Sequence, residues 1–312
     1  MKTITFHCKT ITPMFLSGAD GKTPELRPPS IKGAMRFWWR AMNGHLSLVD
    51  LKRKEGEIFG NGGTKATKST FSVDTEYENL NDFFAQNIFS EYPYTNRNKL
   101  LYMVYGAEER GFIKEGFKFD IIIKSREKRI IEEIAKVVNT LAYYAGLGAK
   151  SRNGFGNFEI LNSKELNLED VPYPTTSNEL SKYTAFSKEN LIYETNKTSK
   201  NWYQILLHLH DIYKELKYEL KKFEDTDLRE YLAASTDNSI LERHGKSIFL
   251  KIHNLGNEYY GQLAFLPYEY IYGNTNASTE LSNEYKKATK VIKNFFQSND
   301  NEQNEELPLI KI

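Results

Sequence analysis

The sequence has almost no cysteine. Cys8 stands alone among 312 residues, so neither a disulfide framework nor a thiolate metal cluster can be built. It lies in an alternating stretch and reads as a small buried residue of a first strand. An excess of charge of one sign is missing too: 42 Lys and Arg against 41 Asp and Glu leave a formal net charge of +1. A polyanion partner is therefore not announced by the global charge, and any basic site has to be local. No apolar run approaches the length of a membrane span. Residues 1–7 alternate polar and apolar rather than forming the apolar core of a signal segment. A cytoplasmic location and no membrane association are expected. Histidines are few, six in all. His208 and His210 stand two apart on an expected helix, which turns them to different faces and rules out an i, i+4 chelate. No metal or other cofactor is expected.

What is present in quantity is aromatic: 20 Tyr and 19 Phe, in a chain 40% hydrophobic and 27% charged. Such rings serve a core or stack on bases, and their number alone does not choose. The length suits one large or two medium domains.

Alternation of Ile4, Phe6 and Cys8 marks a first strand within 3–15. After Pro28-Pro29, a helix is expected from Ile31 to about Asn43-Gly44, with Ser30 as its N-cap. Strands follow at 71–73 and 117–123, a helix at 130–145, and a closing strand at 155–161. This is the strand–helix–strand–strand–helix–strand order of a ferredoxin-like domain, with an insertion near 75–110. Residues 162–182 are polar, contain Pro172 and Pro174, and read as a linker. A second pass covers 183–312: strand-like 183–193, a helix over 202–222, a hairpin of 247–253 and 259–266, a helix over 281–296 and an edge strand in 307–312. The segment 298–306 has four acids and no base and reads as a solvated loop. The expected fold class is α+β: two ferredoxin-like (RRM-like, βαββαβ) domains in tandem, 1–161 and 183–312.

Two segments carry candidate chemistry. On the first helix, Ile31, Ala34, Met35, Trp38, Ala41, Met42 and His45 fall on one side of a wheel. Lys32, Arg36, Trp39, Arg40 and Asn43 fall on the other. Cations flanking an exposed tryptophan suit a nucleic-acid backbone and a stacked base. A surface helix with solvated cations and Trp39 packed on the insertion is the plainer alternative. The neighbourhood favours contact, since residues 22–54 hold eight Lys or Arg and two acids. The second segment is the loop 146–157, with four glycines, Lys150 and Arg152, and no acid. Glycines let backbone amides approach a phosphate, Ser151 and Asn153 offer hydrogen bonds, and Phe155 offers a ring. The loop follows a helix and opens a strand, which is the reverse of a dinucleotide-binding fingerprint. It also lacks the Gly-Lys-Ser/Thr triplet of a P-loop.

The chain resembles the RAMP superfamily. Within it, the chain looks most like the first-subunit family of type III-B (Cmr) CRISPR effector complexes. The resemblance rests on Thr12–Ala19, on Glu25–Arg40 with its Pro-Pro-Ser-Ile-Lys-Gly and Arg-Phe-Trp-Trp-Arg runs, on Glu57–Gly60, on Lys68–Phe71 and on Gly148–Gly156. Arg243–Lys251 is a weaker match. The resemblance implies two ferredoxin-like domains in a non-catalytic subunit at the guide 3′ end. It implies guide crRNA, target RNA and other Cmr subunits as partners, and a part in target capture during antiviral defence. It carries RNA contact over to Lys32, Arg36 and Arg40 and to Lys150, Ser151, Arg152, Asn153 and Phe155. Arg27 and Lys68 in the matched segments, Trp39, and Arg243 with Lys246 complete the candidate set. Two other readings stay open. Some RAMP relatives are metal-independent endoribonucleases with a histidine near the first helix, a place that His45 fills here. A protein-only structural adaptor is the other.

Overall fold

The structure is a computed structural model, and it describes residues 1–62, 66–164, 176–223, 227–232, 245–269, 277–299 and 309–311. Strand β1 (Lys2–Thr10) turns Ile4, Phe6 and Cys8 into the core and leaves the alternate positions at the other face. Then come α1 (Pro28–Met42), α2 (Leu48–Phe59) and β2 (Phe71–Tyr77). An insertion holds a 3-10 turn, β3 (Phe84–Gln86), α3 (Ile88–Glu91), α4 (Arg97–Val104) and β4 (Gly111–Ile113). β5 (Lys118–Ser125), α5 (Lys128–Tyr144) and β6 (Phe158–Lys164) complete the first unit. Its sheet has the order β2-β5-β1-β6, with every pair antiparallel. The periodic Ile130, Ile134, Val138 and Leu141 of α5 are buried against it.

The second unit runs β7 (Leu191–Ser199), α6 (Trp202–Lys222), α7 (Arg229–Leu232), β8 (Ile248–Asn254), β9 (Tyr259–Phe265), α8 (Ala277–Asn299) and β10 (Leu309–Lys311). Its sheet order, β10-β7-β9-β8, repeats the first when each unit's strands are counted from one, again antiparallel throughout. The fold is thus α+β, with two ferredoxin-like units in tandem, as expected.

Several boundaries differ from expectation. α1 starts at Pro28 with Arg27, not Ser30, as its N-cap. Prolines suit the first helical positions, where an N–H would have no partner. Helix α2 had no counterpart in the sequence reading; Ser47 caps it by accepting from the Asp50 amide. β6 starts later than 155 because Phe155–Asn157 are used by the preceding loop, and β7 lies later than 183–193. Of the expected linker, 165–175 lies outside the described residues, as does 300–306 of the acidic segment.

The insertion does not stand apart. Ile88, Leu100, Met103, Val104 and Phe112 share one apolar cluster with Ile205, Leu206 and Leu209 of α6. Lys99 meets Asp211 at 2.6 Å on the rim. From the other side, Phe249 of β8 packs on Trp38 of α1 at 5.2 Å between ring centroids. The two units therefore share a continuous apolar seam, and the loop between α5 and β6 lies at it.

Candidate nucleic-acid interface

The basic stripe of α1 is largely occupied within the protein. Lys32 donates to the Phe71 carbonyl at 3.2 Å and lies 4.4 Å from the Phe71 ring centroid. Its pKa is pushed down by burial and by the Arg36 charge. Arg36 donates to the carbonyls of Phe59 and Gly60 at 3.1 and 2.7 Å. Both Arg36 and Arg40 pair with Glu55 of α2, at 3.3 and 3.0 Å. Trp39 is 1% exposed; its indole N–H donates to Glu133 at 2.6 Å and its ring packs on Phe59. The expectation of an exposed, base-stacking Trp39 is overturned. α2 and α5 bury that side, and a wheel drawn for one helix has no knowledge of a second helix laid across it.

The edge of α1 that carries Ser30, Ala34, Phe37 and Arg40, at helical spacing, faces the glycine-rich loop. The loop backbone is clamped to the chain after β1. The Ala149 amide donates to the Phe15 carbonyl at 2.9 Å, and the Gly156 amide donates to the Pro13 carbonyl at 2.7 Å. Its glycines serve this close approach. A Cβ at Gly148 (φ +86°) would lie 2.4 Å from the Phe15 carbonyl oxygen, and one at Gly156 (φ +65°) 1.9 Å from that of Leu147. The loop is a rigid plug of the seam, and backbone geometry accounts for its glycines without a phosphate.

Three predicted contacts in and around the loop point inward. Phe155 is fully buried, edge-on to Phe15 at 5.4 Å, so it offers no ring to a base. Asn153 donates to the Met103 carbonyl at 2.9 Å and accepts from Lys246 Nζ at 2.8 Å. Lys246 is 8% exposed, with its ammonium 4.3 Å from the Tyr213 ring centroid. These residues tie loop, insertion and second unit together. Arg152 crosses the same seam. Its guanidinium lies 5.2 Å from the Phe37 ring and 4.9 Å from the Phe249 ring, and it donates to the Lys246 carbonyl.

What remains is a groove along α1. One depression of about 380 Å³ is lined by Ser17, Ser30, Ala34, Arg110, Gly148 and Ser151, among others. A second, of about 280 Å³, is lined by Phe37, Arg40, Arg152, Tyr183, Thr184, Gly245 and Tyr268. They follow each other along the same helix face, so the span from Ser30 to Arg40 is about 15 Å at 1.5 Å per residue. Arg40 of the stripe and Arg152 of the loop do come together here. Lys150 stands beside Arg110, which lowers its pKa together with burial, the larger cause. Cations, hydroxyls and small side chains in a concave strip match a sugar–phosphate chain.

The other predicted positions lie apart. Arg27 caps α1 and Lys68 is exposed between α2 and β2; neither lines the groove. Arg243 lies outside the described residues. His45 is exposed in the turn after α1, not half-buried on its apolar side, because the helix ends at Met42. Arg110, Tyr183 and Tyr268 were missed. They come from the insertion, the connection between the units and the chain after β9, and no local pattern links them to α1. Among the described residues, no group of three or more His, Cys, Asp or Glu is placed to hold a metal ion. No described helix is long and apolar enough to cross a membrane.

Comparison with known proteins gives the class first. Residues 7–159, just under half of the chain, match the model of the RAMP superfamily. Its relatives are more particular. Two Cmr subunits of Pyrococcus furiosus, Cmr1-1 and Cmr1-2, are each 27% identical to it. The first alignment spans 236 residues, 64% of this chain and 68% of the relative; the second spans 189, 52% and 97%. The crystal structure of apo Cmr1 from Pyrococcus furiosus superposes with a TM-score of 0.67 at 20% identity, covering 100% of this chain and 98% of that one. A chain of the type III-B Cmr-beta complex bound to cognate target RNA gives 0.57 at 11% identity, covering 92% and 99%. The chain is thus similar to the RAMP superfamily over its first unit, and to Cmr1 in sequence and in fold.

Proposed function

We propose that this chain is an RNA-binding, non-catalytic subunit of a type III-B CRISPR effector complex. It sits at the guide 3′ end, helps to capture target RNA in the cytoplasm, and has guide crRNA, target RNA and neighbouring Cmr subunits as partners. The observation that carries this reading is the groove between α1 and the glycine-rich loop, where Arg40, Arg152 and Arg110 face one concave strip. Among the described residues, no His, Asp or Glu lines either of its depressions. A general acid or base within reach of the 2′-hydroxyl is what a metal-free ribonuclease requires, so the groove suits holding RNA better than cutting it. The match of fold to a chain in a target-RNA-bound type III-B complex supports the same reading.

The test is incubation of the purified chain with single-stranded guide-repeat RNA, without metal, followed by a binding assay and a denaturing gel. Salt-sensitive binding of RNA that stays intact is expected. Absence of binding at low salt would favour a protein-only adaptor, and cleavage lost in His45→Ala would favour the nuclease.

A further inference from the structure

The insertion carries a second ring-and-cation surface next to the groove. Tyr102 lies in the last turn of α4, and Tyr105 is the residue that follows the helix. They are 42% and 73% exposed. Tyr102 is braced from within: His210 stands edge-on to it at 5.1 Å and Tyr213 lies 6.5 Å away. Lys217 of α6 places its ammonium 2.9 Å from the Tyr102 hydroxyl and 5.3 Å from its ring centroid. Beneath this surface lies Lys246, and the charges acting on it are Arg152, Lys217 and Lys150, all cationic. Lys99 is paired with Asp211, so it is not part of this excess. Among the described residues, Glu108 is the carboxylate that acts on Lys150. Positive charge therefore runs from the groove, past Lys150, to Lys217, and among the described residues no acid offsets it at Lys246.

We propose that single-stranded RNA leaving the groove continues past Lys150 onto this surface, where Tyr105 and Tyr102 stack one or two splayed bases and Lys217 meets a phosphate. This rests on the groove being an RNA site, as argued above. Exposed aromatic faces beside cations fit a flexible polyanion with planar bases better than an acidic protein, because the rings offer π-faces rather than an apolar groove. The packing of the insertion on α6 suits this role, because a stacking platform needs a ring held in place before the base arrives.

The experiment uses the full chain and two single-stranded oligoribonucleotides of the same base, one just long enough to fill the groove and one several nucleotides longer. Tyr105→Ala with Lys217→Gln should lower affinity for the longer RNA by roughly tenfold or more and leave the shorter unchanged. Tyr105 is exposed, so this change spares the fold; a thermal melt matching the parent confirms it. A photoreactive uridine in the extension should crosslink to the peptide containing Tyr105. Equal affinity of parent and variant for the longer RNA overturns this inference and leaves the groove standing. Equal losses on both lengths overturn it as well, showing a diffuse charge effect. Failure of the parent to bind either RNA overturns the groove itself.

Discussion

Arg152 reaches from the glycine-rich loop to donate to the backbone carbonyl of Lys246, just before β8 of the second unit. On the way its guanidinium is enclosed by Phe37 of α1 and Phe249 of β8. One side chain thus joins the loop, the first helix and the second sheet, and its charge opens onto the depression that Arg40 also lines. Structure and proposed binding converge on it.

Arg152→Ala should destabilise the fold by about 3 kcal/mol, the sum expected for a charged hydrogen bond to a carbonyl and two partly desolvated cation–π contacts. Arg152→Lys should restore less than half of that, because an ammonium lacks the flat guanidinium that fits between two rings. Urea unfolding of the three proteins measures it. A full rescue by lysine would show that charge, not shape, is what matters here.

Trp39→Ala should cost about 3–5 kcal/mol of stability, since it removes a buried indole and strands Glu133. Trp39→Phe folds and keeps its RNA affinity, because the ring is not at the surface. A drop in RNA affinity for Trp39→Phe at unchanged stability would return Trp39 to the binding site.

Glycines of the chain should separate into two groups. Gly156→Ala places a methyl against the Leu147 carbonyl in a left-handed backbone, and should abolish soluble expression or lower the melting temperature severely. Gly33→Ala lies on α1 with nothing within 4 Å of the added atom, and should stabilise by about 0.8–1.0 kcal/mol. Thermal melts of the two variants test this directly.

The tandem fold was legible because long periodic segments such as Trp202–Lys222 and the hairpin strands around Asn254-Leu255-Gly256-Asn257 carry their own signals. Helix α2 was not legible: its buried Leu51, Ile58 and Phe59 are scattered through a charged run. That single omission reversed the reading of Trp39, Arg36 and Lys32, since α2 supplies or sits beside their partners. The loop was found by composition, yet composition could not tell a phosphate cradle from a tight seam. Arg110 reaches the groove through the packing of the insertion on α6, a long-range relation that no short window contains.

Stability should rise with pH between about 7 and 10. Lys251 is 1% exposed and donates to the carbonyls of Ala145 and Phe158 at 2.9 and 3.1 Å. Burial brings its pKa down from 10.5 to about 7. Across that window the unfolded chain binds a proton that the folded chain does not, so raising the pH favours the folded state. The gain is at most about 1.4 kcal/mol per pH unit for one group. Lys246, also lowered to about 7, acts in the same sense. Melting temperatures from pH 7 to 9 should climb, and Lys251→Met should flatten the climb; a falling curve in the parent would contradict it.

Most direct is the salt dependence of single-stranded RNA binding. Arg40→Gln, Arg110→Gln and Lys150→Asn combined, with asparagine chosen because position 150 has φ +61°, should make the slope of log affinity against log salt shallower by about 2, at roughly 0.7 per phosphate contact. Lys68→Gln, away from the groove, should leave the slope unchanged. A triple variant whose slope and affinity equal those of the parent would show that the groove between α1 and the glycine-rich loop does not hold the RNA.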